Sequence, residues 1–303
     1  MWIINNRKIF YSISAVLVGA SLLALLVWGL KPGIDFRGGS LLEVNYAATT
    51  TPTVAALNSA LSPLSLGDVS VRPTGETGYL VRTHALTEIE REAVVSSLVR
   101  VDSSMTVIRF DSIGPVLGKE AAGRAFLSIG MVLIAIVAFI AFAFRKVSLP
   151  VASWKYGLIA VVALFHDVII PTGVFAVLGQ LYGVEVDTLF VTALLVILGF
   201  SIHDTIVVFD RTRENLRHEN EKRVRRPFSE IVGQSVSETV VRSINTSLTT
   251  LFALVVLTIF GPSSTQMFSL ALLIGVTVGT YSSIFIASTL LVTIEGWQKK
   301  GGE

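Results

Sequence analysis

Long apolar runs separated by short polar breaks occupy most of the chain outside one interval. They fall at residues 9–30, 122–144, 153–178, 188–209, 244–261 and 266–294. Each reaches or approaches the ~20 residues that a helix needs to cross the hydrocarbon core of a bilayer. The pattern predicts a polytopic α-helical membrane protein with six transmembrane helices. The first run follows Arg7 and Lys8, as a signal peptide would. Its apolar part is too long for a cleaved leader, and no small-x-small site lies near its end. An uncleaved anchor is the expectation, giving residues 1–30 as an N-terminus with its first span.

Residues 31–120 lose this character and alternate between strand and helix signals. "SLLEVNY" (40–46) reads as a strand. "TPTVAALNSALSPL" (51–64) reads as a helix with Thr51 as N-cap and Pro52 at its first position. "DVSVRP" and "YLVRTHA" read as strands about the turn-rich "TGETG". "TEIEREAVVSSLVR" (87–100) opens with Thr87 and Glu90 at capping-box spacing, and "MTVIRF" (105–110) closes the set. The order β-α-β-β-α-β is that of a small α+β, ferredoxin-like domain. That fold hosts many activities, so it assigns none. His84 stands alone there, and a lone histidine is more often a packed or surface residue than a ligand.

Composition agrees with the membrane class: the chain is 52% hydrophobic and only 15% charged. The absence of cysteine excludes disulfides, thiolate metal sites and a cysteine nucleophile. The distribution of charge says more than the net +2. Arg7, Lys8, Arg145, Lys146, Lys155, the dense run from Arg211 to Arg242, Lys299 and Lys300 all fall on one side of the expected topology. The opposite short loops, 179–187 and 262–265, hold no lysine or arginine. The positive-inside rule then puts both termini and a basic loop (210–242) in the cytoplasm, and residues 31–120 outside the cytoplasmic membrane. Residues 121–303 form the rest of the bundle. Nothing in this pattern asks for a nucleic-acid partner, and no cofactor motif is present.

Ionisable residues inside the apolar runs are the candidate chemistry. An aspartate at the centre of a membrane helix costs about 2.5–3.5 kcal/mol on insertion scales, so it is kept where it faces a bundle interior, a cavity or a partner charge. His166-Asp167 in the third span and His203-Asp204 in the fourth qualify. Asp204 lies six residues before Asp210, hence ~9 Å deeper at 1.5 Å per residue. Ser201, Asp204 and Thr205 share one side of their helix at spacings of three and four, whereas His203 points ~100° away. Arg242 opens a second stripe with Thr246, Thr249, Thr250 and Ala253. It reads either as an interfacial anchor that snorkels to the headgroups or as a functional charge. Asp167 reads either as a helix–helix hydrogen-bond partner or as part of the same machinery.

Three chemistries can be weighed on these residues. A Ser-His-Asp triad on one continuous helix fails, because its members diverge. A metal site from His166, Asp167, His203 and Asp204 lacks the i, i+4 ligand pair that favours zinc. Proton or ion relay uses the residue types found here. The sixth span adds a stripe of small residues every four positions, Ala271, Gly275, Gly279, Ser283 and Ala287, which predicts close helix contact.

Four longer motifs carry a resemblance: "GIDFRGGSLLEV" (33–44), "IGPVLGKE" (113–120), "GFSIHDTIVVFDRTREN" (199–215) and "RSINTSLTT" (242–250). In this order along nearly the whole chain, they resemble the SecD/SecF family of protein-export membrane proteins. The resemblance implies a bundle of the resistance–nodulation–division type that pairs with SecD as a pseudo-symmetric partner. It implies association with the SecYEG channel, an unfolded translocating polypeptide as cargo, protons as the coupling ion, and no enzymatic activity. Asp204 matches the family's intramembrane acid and Arg242 its functional arginine. Asp167, and beyond it Ser201, Thr205 and His166, complete the expected coupling set. The family often has Asn where His203 stands, and a small polar residue where Arg37 stands. The 31–120 region is too short for the SecD side of the family. A stand-alone proton-coupled transporter of small molecules or lipid, with the same bundle, is the rival expectation.

Overall fold

Helices and strands form where the periodicity asks for them, with the largest departures at the helix ends. The computed structural model describes residues 2–48, 51–143, 153–222 and 226–300. Arg145 and Lys146, and Arg223 and Arg225 of the basic segment, lie outside the described residues. The chain divides into two compact units, residues 32–126 and residues 1–31 with 127–303.

In chain order the first unit-spanning elements are α1 (Trp2–Asn5), α2 (Arg7–Val27), the one-turn α3 (Ile34–Arg37) and β1 (Gly39–Asn45). They are followed by α4 (Val54–Leu61) with a 3₁₀ turn at Ser62–Leu64, β2 (Ser70–Thr74), β3 (Gly78–Thr83), α5 (Glu88–Val101) and β4 (Thr106–Ile113). The strands make an antiparallel sheet in the order β2-β3-β1-β4, which is the interleaved order of a ferredoxin-like fold. Alternation does the work: Leu42 and Val44 of β1, Tyr79 and Val81 of β3 and Val71 of β2 are buried. They pack with Leu57 and Leu61 of α4 and Val94 and Leu98 of α5 in one cluster.

α5 begins with the expected capping box. The Glu90 amide donates to the Thr87 hydroxyl, and the Thr87 amide donates back to the Glu90 carboxylate at 2.8 Å. Those bonds from Thr87, its backbone N–H first, hold the Glu90 carboxyl below its ordinary range. A depressed carboxylate contributes stability at neutral pH, and that contribution fades as pH falls through the lowered value. Thr87→Ala is expected to cost about 1 kcal/mol and to speed hydrogen exchange in the first turn of α5 without affecting the sheet.

α4 corrects the expectation at its start. Its N-cap is Thr53, whose hydroxyl accepts from the Ala56 amide at 3.2 Å. Thr51 and Pro52 stay outside the helix, because the Tyr79 hydroxyl of β3 donates to the Pro52 carbonyl. A bond between residues 27 apart thus overrides the local proline signal.

Gly38 and Gly39 explain the motif that leads into this unit. Both have positive φ, 78° and 128°. A Cβ on Gly38 would lie 2.7 Å from the Pro115 Cα, and one on Gly118 would lie 2.7 Å from the Gly38 amide nitrogen. Residues 33–44 and 113–120 are therefore packed backbone to backbone where the chain enters and leaves the sheet, with Gly39 paired to Ile113.

The helical unit contains α2, most of α6 (Pro115–Ala143), α7 (Ser153–Tyr182), α8 (Thr188–Lys222) and α9 (Phe228–Phe260). It ends in a rod made of α10 (Ser263–Tyr281), a π-helical segment (Ser282–Ala287) and α11 (Ser288–Lys300). Among the described residues six helices are long and apolar enough to cross a membrane, as expected. α7, α8 and α10 form the buried centre, while α6 and much of α9 are exposed.

The small-residue stripe of α10 faces α8. A Cβ on Gly275 would meet Ile197 at 2.1 Å, and one on Gly279 would meet Ser201 at 3.1 Å. The stretch expected as a basic loop is helical at both ends. α8 runs on to Lys222 and α9 starts after Pro227. The extension is held by side chains: Arg211 donates to Glu214 and Glu238, each at 2.6 Å, and Asn215 donates to Ser235 and Glu238, each at 3.0 Å.

Candidate functional site

Asp167 is the hub of the buried polar residues. Its side chain is fully enclosed, and three donors converge on it from three helical elements. The His166 Nδ1 lies 2.8 Å from Oδ1, Ser282 of the π segment donates to Oδ2 at 2.7 Å, and Ser201 of α8 donates to the same oxygen. On its other side His166 meets Ser14 of α2, with Nε2 3.1 Å from the serine oxygen. Pro171, four residues after Asp167, has no N–H to bond the Asp167 carbonyl. The π segment helps build the hub. Its wider turn lets consecutive serines serve one seam: Ser282 reaches Asp167, and Ser283 reaches the Ser201 carbonyl (3.2 Å) and the Thr205 hydroxyl (2.9 Å).

Asp204 looks another way. It is buried beside the Ser243 and Ser247 hydroxyls of α9. Its Oδ1 lies 3.7 Å from the His203 Nδ1, and its Oδ2 and the Ser243 oxygen have no hydrogen-bond partner among the described residues. His203 itself is mostly exposed, 64% at the side chain, but its ring turns back to within ion-pair distance of Asp204 rather than diverging from it as expected.

Ser201, Asp204 and Thr205 are thus all buried, but they serve different neighbours. Arg242 does not meet Asp204 within this chain. It lies on the exposed face of α9 with Asn245, Thr246 and Thr249, and its side chain makes no ion pair among the described residues. The buried face of α9 carries Thr239, Ser243 and Ser247 instead. One residue of offset, ~100° of rotation, separates the stripe read from the sequence from the stripe that faces the bundle.

Ser14, Ser282, Ser283, Ser243 and Ser247 are the site residues that sequence reasoning missed. Serine spacing of four at 243 and 247 was a signal for the last two. Ser14 is marked only by standing inside an apolar helix. Among the described residues, no three His, Asp or Glu side chains group as a metal site. Chemically, the arrangement offers two buried carboxylates: one held by three donors, the other beside hydroxyls with one of its oxygens unpartnered among the described residues.

Six long apolar helices among the described residues, an interleaved four-stranded sheet domain between the first two in sequence, and carboxylates buried among hydroxyls define a polytopic membrane protein with a polar centre. The model of "Protein export membrane protein SecD/SecF, C-terminal" matches residues 93–297, and that of the "SecD/SecF GG Motif" matches residues 24–50. The translocase subunit SecF of Anaerolinea thermophila is 38% identical, over 99% of this chain and 98% of its own. That of Thermobaculum terrenum is 40% identical, over 98% of this chain and 94% of its own. The crystal structure of SecDF, a translocon-associated membrane protein from Thermus thermophilus, superposes with a TM-score of 0.82 at 28% identity. It aligns with 97% of this chain, which spans 38% of the SecDF chain. The chain belongs to the SecD/SecF family and is a multi-pass membrane protein.

Proposed function

We propose that this chain is the SecF-type half of a membrane pair that uses the proton motive force to assist protein export, with a SecD chain as the other half. The observation that carries the reading is the exposed polar face of α9. Thr246, Thr249 and Thr250 hydrogen-bond carbonyls of their own helix, so they are tolerable against lipid. Arg242 and Asn245 are exposed without such relief among the described residues, and an arginine at the cytoplasmic boundary of a membrane helix still costs free energy unless it snorkels to the headgroups or meets an acid. A second membrane bundle bearing an acid and amide partners relieves that cost. A SecD chain, pseudo-symmetric with this one, supplies it.

In this reading residues 1–30 and 121–303 form the membrane half-bundle, with both termini and the basic 210–242 segment in the cytoplasm. Residues 31–120 lie outside, where they handle the translocating polypeptide beside the SecYEG channel. Asp204, Arg242 and Asp167 couple proton passage to helix packing, and Ser201, Thr205 and His166 support them. Protonated, Asp204 is neutral and tolerates an apolar contact; ionised, it demands water or a cation. Alternation between the two packings moves the outer unit. Each proton crossing 100 mV supplies about 2.3 kcal/mol, enough to bias such a switch.

The pairing is tested by disulfide crosslinking. The chain has no cysteine, so Asn245→Cys and Thr249→Cys each add a single thiol to the exposed face of α9. Both are expected to crosslink to a co-expressed SecD chain carrying cysteines in its corresponding helix. Ile259→Cys, near the far end of α9, serves as the distance control. A chain that purifies alone, with no crosslink at either position, would sink the pairing.

A further inference from the structure

A buried imidazole with a carboxylate acceptor at one nitrogen and a hydroxyl at the other can bind or release a proton with its heavy atoms in place. His166 stands in that position. Its Nδ1 faces the Asp167 carboxylate at 2.8 Å, which accepts an N–H in either state of the ring. Its Nε2 faces the Ser14 hydroxyl at 3.1 Å. A hydroxyl is both donor and acceptor: it donates to the neutral ring and accepts from the imidazolium, needing only rotation about its C–O bond. When it accepts, its own hydrogen can turn to the carbonyl four residues earlier, the usual partner of a helical serine. That carbonyl is Phe10, which also receives the Tyr281 hydroxyl at 3.0 Å.

We infer that His166 with Asp167 is a second proton-binding site of the bundle, separate from Asp204, whose loading is read by the first span through Ser14. The inference rests on the proton-coupled reading above and deepens it by naming the atom that carries the proton. Unloaded, the pair is a neutral imidazole beside a carboxylate, with net charge −1. Loaded, it is an imidazolium beside the same carboxylate, with net charge zero. The carboxylate keeps its donors from Ser201 and Ser282 in both states.

The groups facing the pair are few. From α2 comes Ser14, and from α8 comes Ser201. The rod supplies Ser282 and Tyr281, whose ring stacks on the imidazole with centroids 6.1 Å apart. His166 is the one ion-pair partner of Asp167 among the described residues. Asp204 is not hydrogen-bonded to this network among the described residues. Thr205, its neighbour in sequence, is, through Ser283 and the Ser201 carbonyl. The two carboxylates therefore sit on one scaffold but face different neighbours: Asp167 faces α8 and the π segment and reaches the first span through His166, whereas Asp204 faces α9.

Nitrogen-15 spectra of histidine-labelled full-length chain in lipid nanodiscs test the assignment. The chain has four histidines, so His84→Gln, His203→Gln and His218→Gln leave His166 as the single reporter. The expected result is an Nδ1–H tautomer at high pH that converts to imidazolium as pH falls. Ser14→Ala is expected to cut the protonated fraction about tenfold at a fixed pH, and Ser14→Thr to restore it. A single tautomer at every pH, unmoved by Ser14→Ala, overturns the site. Titration in a chain whose export ignores the proton motive force would keep the binding site and overturn the proton-coupled reading, so the two fail separately.

Discussion

Asp204→Asn is expected to remove the stimulation of export by a proton gradient while leaving the chain folded and paired. The asparagine is the same size and neutral, so it imitates the protonated side chain and cannot ionise. The site accepts that form: Asp204 is buried, one carboxylate oxygen has no partner, and the nearest charge-capable group is the His203 ring at 3.7 Å. Removing a charge from such a place relieves desolvation, which amounts to several kcal/mol for a buried ion without full compensation. Folding is therefore expected to be unchanged or improved.

In the proposed coupling, function is the part that suffers, because the step that would need the ionised carboxylate is lost. A proton falling through 100 mV biases a two-state change by about 2.3 kcal/mol, roughly fiftyfold. That factor sets the scale of the loss per coupled proton. The measurement is export of a precursor into vesicles with and without an imposed gradient, comparing wild type, Asp204→Asn and Asp204→Glu. Partial retention is expected for the glutamate. Full gradient stimulation in the asparagine variant would remove Asp204 from the coupling path.

Much of this architecture is legible in the sequence because it rests on local periodicity. Alternation at Leu42, Val44, Tyr79 and Val81 and the Thr87–Glu90 box specify strands and a helix start without long-range information. The four-residue stripe Ala271, Gly275, Gly279, Ser283 announces close packing in the same way, and α8 is the helix it packs against. The errors have physical causes. The start of α4 slips from Thr51 to Thr53, because Tyr79 holds the Pro52 carbonyl from across the fold.

The stripe on α9 rotates by one residue for another reason. Arg242-Thr246-Thr249 and Thr239-Ser243-Ser247 are equally periodic, and only the position of neighbouring helices decides which faces inward. The hub at Asp167 was hidden most deeply. Ser201 and Ser282 donate to Asp167 and Ser14 meets His166, serines up to 268 positions apart that are joined only by tertiary packing. The π segment that brings Ser282 and Ser283 onto one seam has no marker in the one-dimensional pattern.

Gly173→Ala is expected to destabilise the bundle, although alanine is the better helix former. Inside a helix the exchange gains about 1 kcal/mol in intrinsic propensity. At Gly173 it also adds a methyl group where α7 meets α2. The new carbon would lie 2.3 Å from the Cβ of Ser21 and 2.5 Å from its Cα. A side-chain rotation cannot relieve a clash with a backbone atom, so α2 must move outward by roughly 1 Å to restore ordinary carbon–carbon separation. Overpacking of this kind costs about 1–3 kcal/mol, occasionally more, and outweighs the propensity gain.

Gly199 provides the control on the neighbouring helix. A Cβ there meets nothing within 4 Å, so Gly199→Ala is expected to be neutral or mildly stabilising. Thermal unfolding of the two variants in the same detergent separates these outcomes, and equal melting temperatures would refute the close approach. The displacement has a second consequence along α2. Ser14 lies seven residues before Ser21, two turns along the same face, and its bond to His166 is already 3.1 Å long. A shift of ~1 Å exceeds what a hydrogen bond of that length can absorb. Gly173→Ala is therefore expected to detach the first span from the His166–Asp167 pair as well as to lower stability, whereas Gly199→Ala does neither.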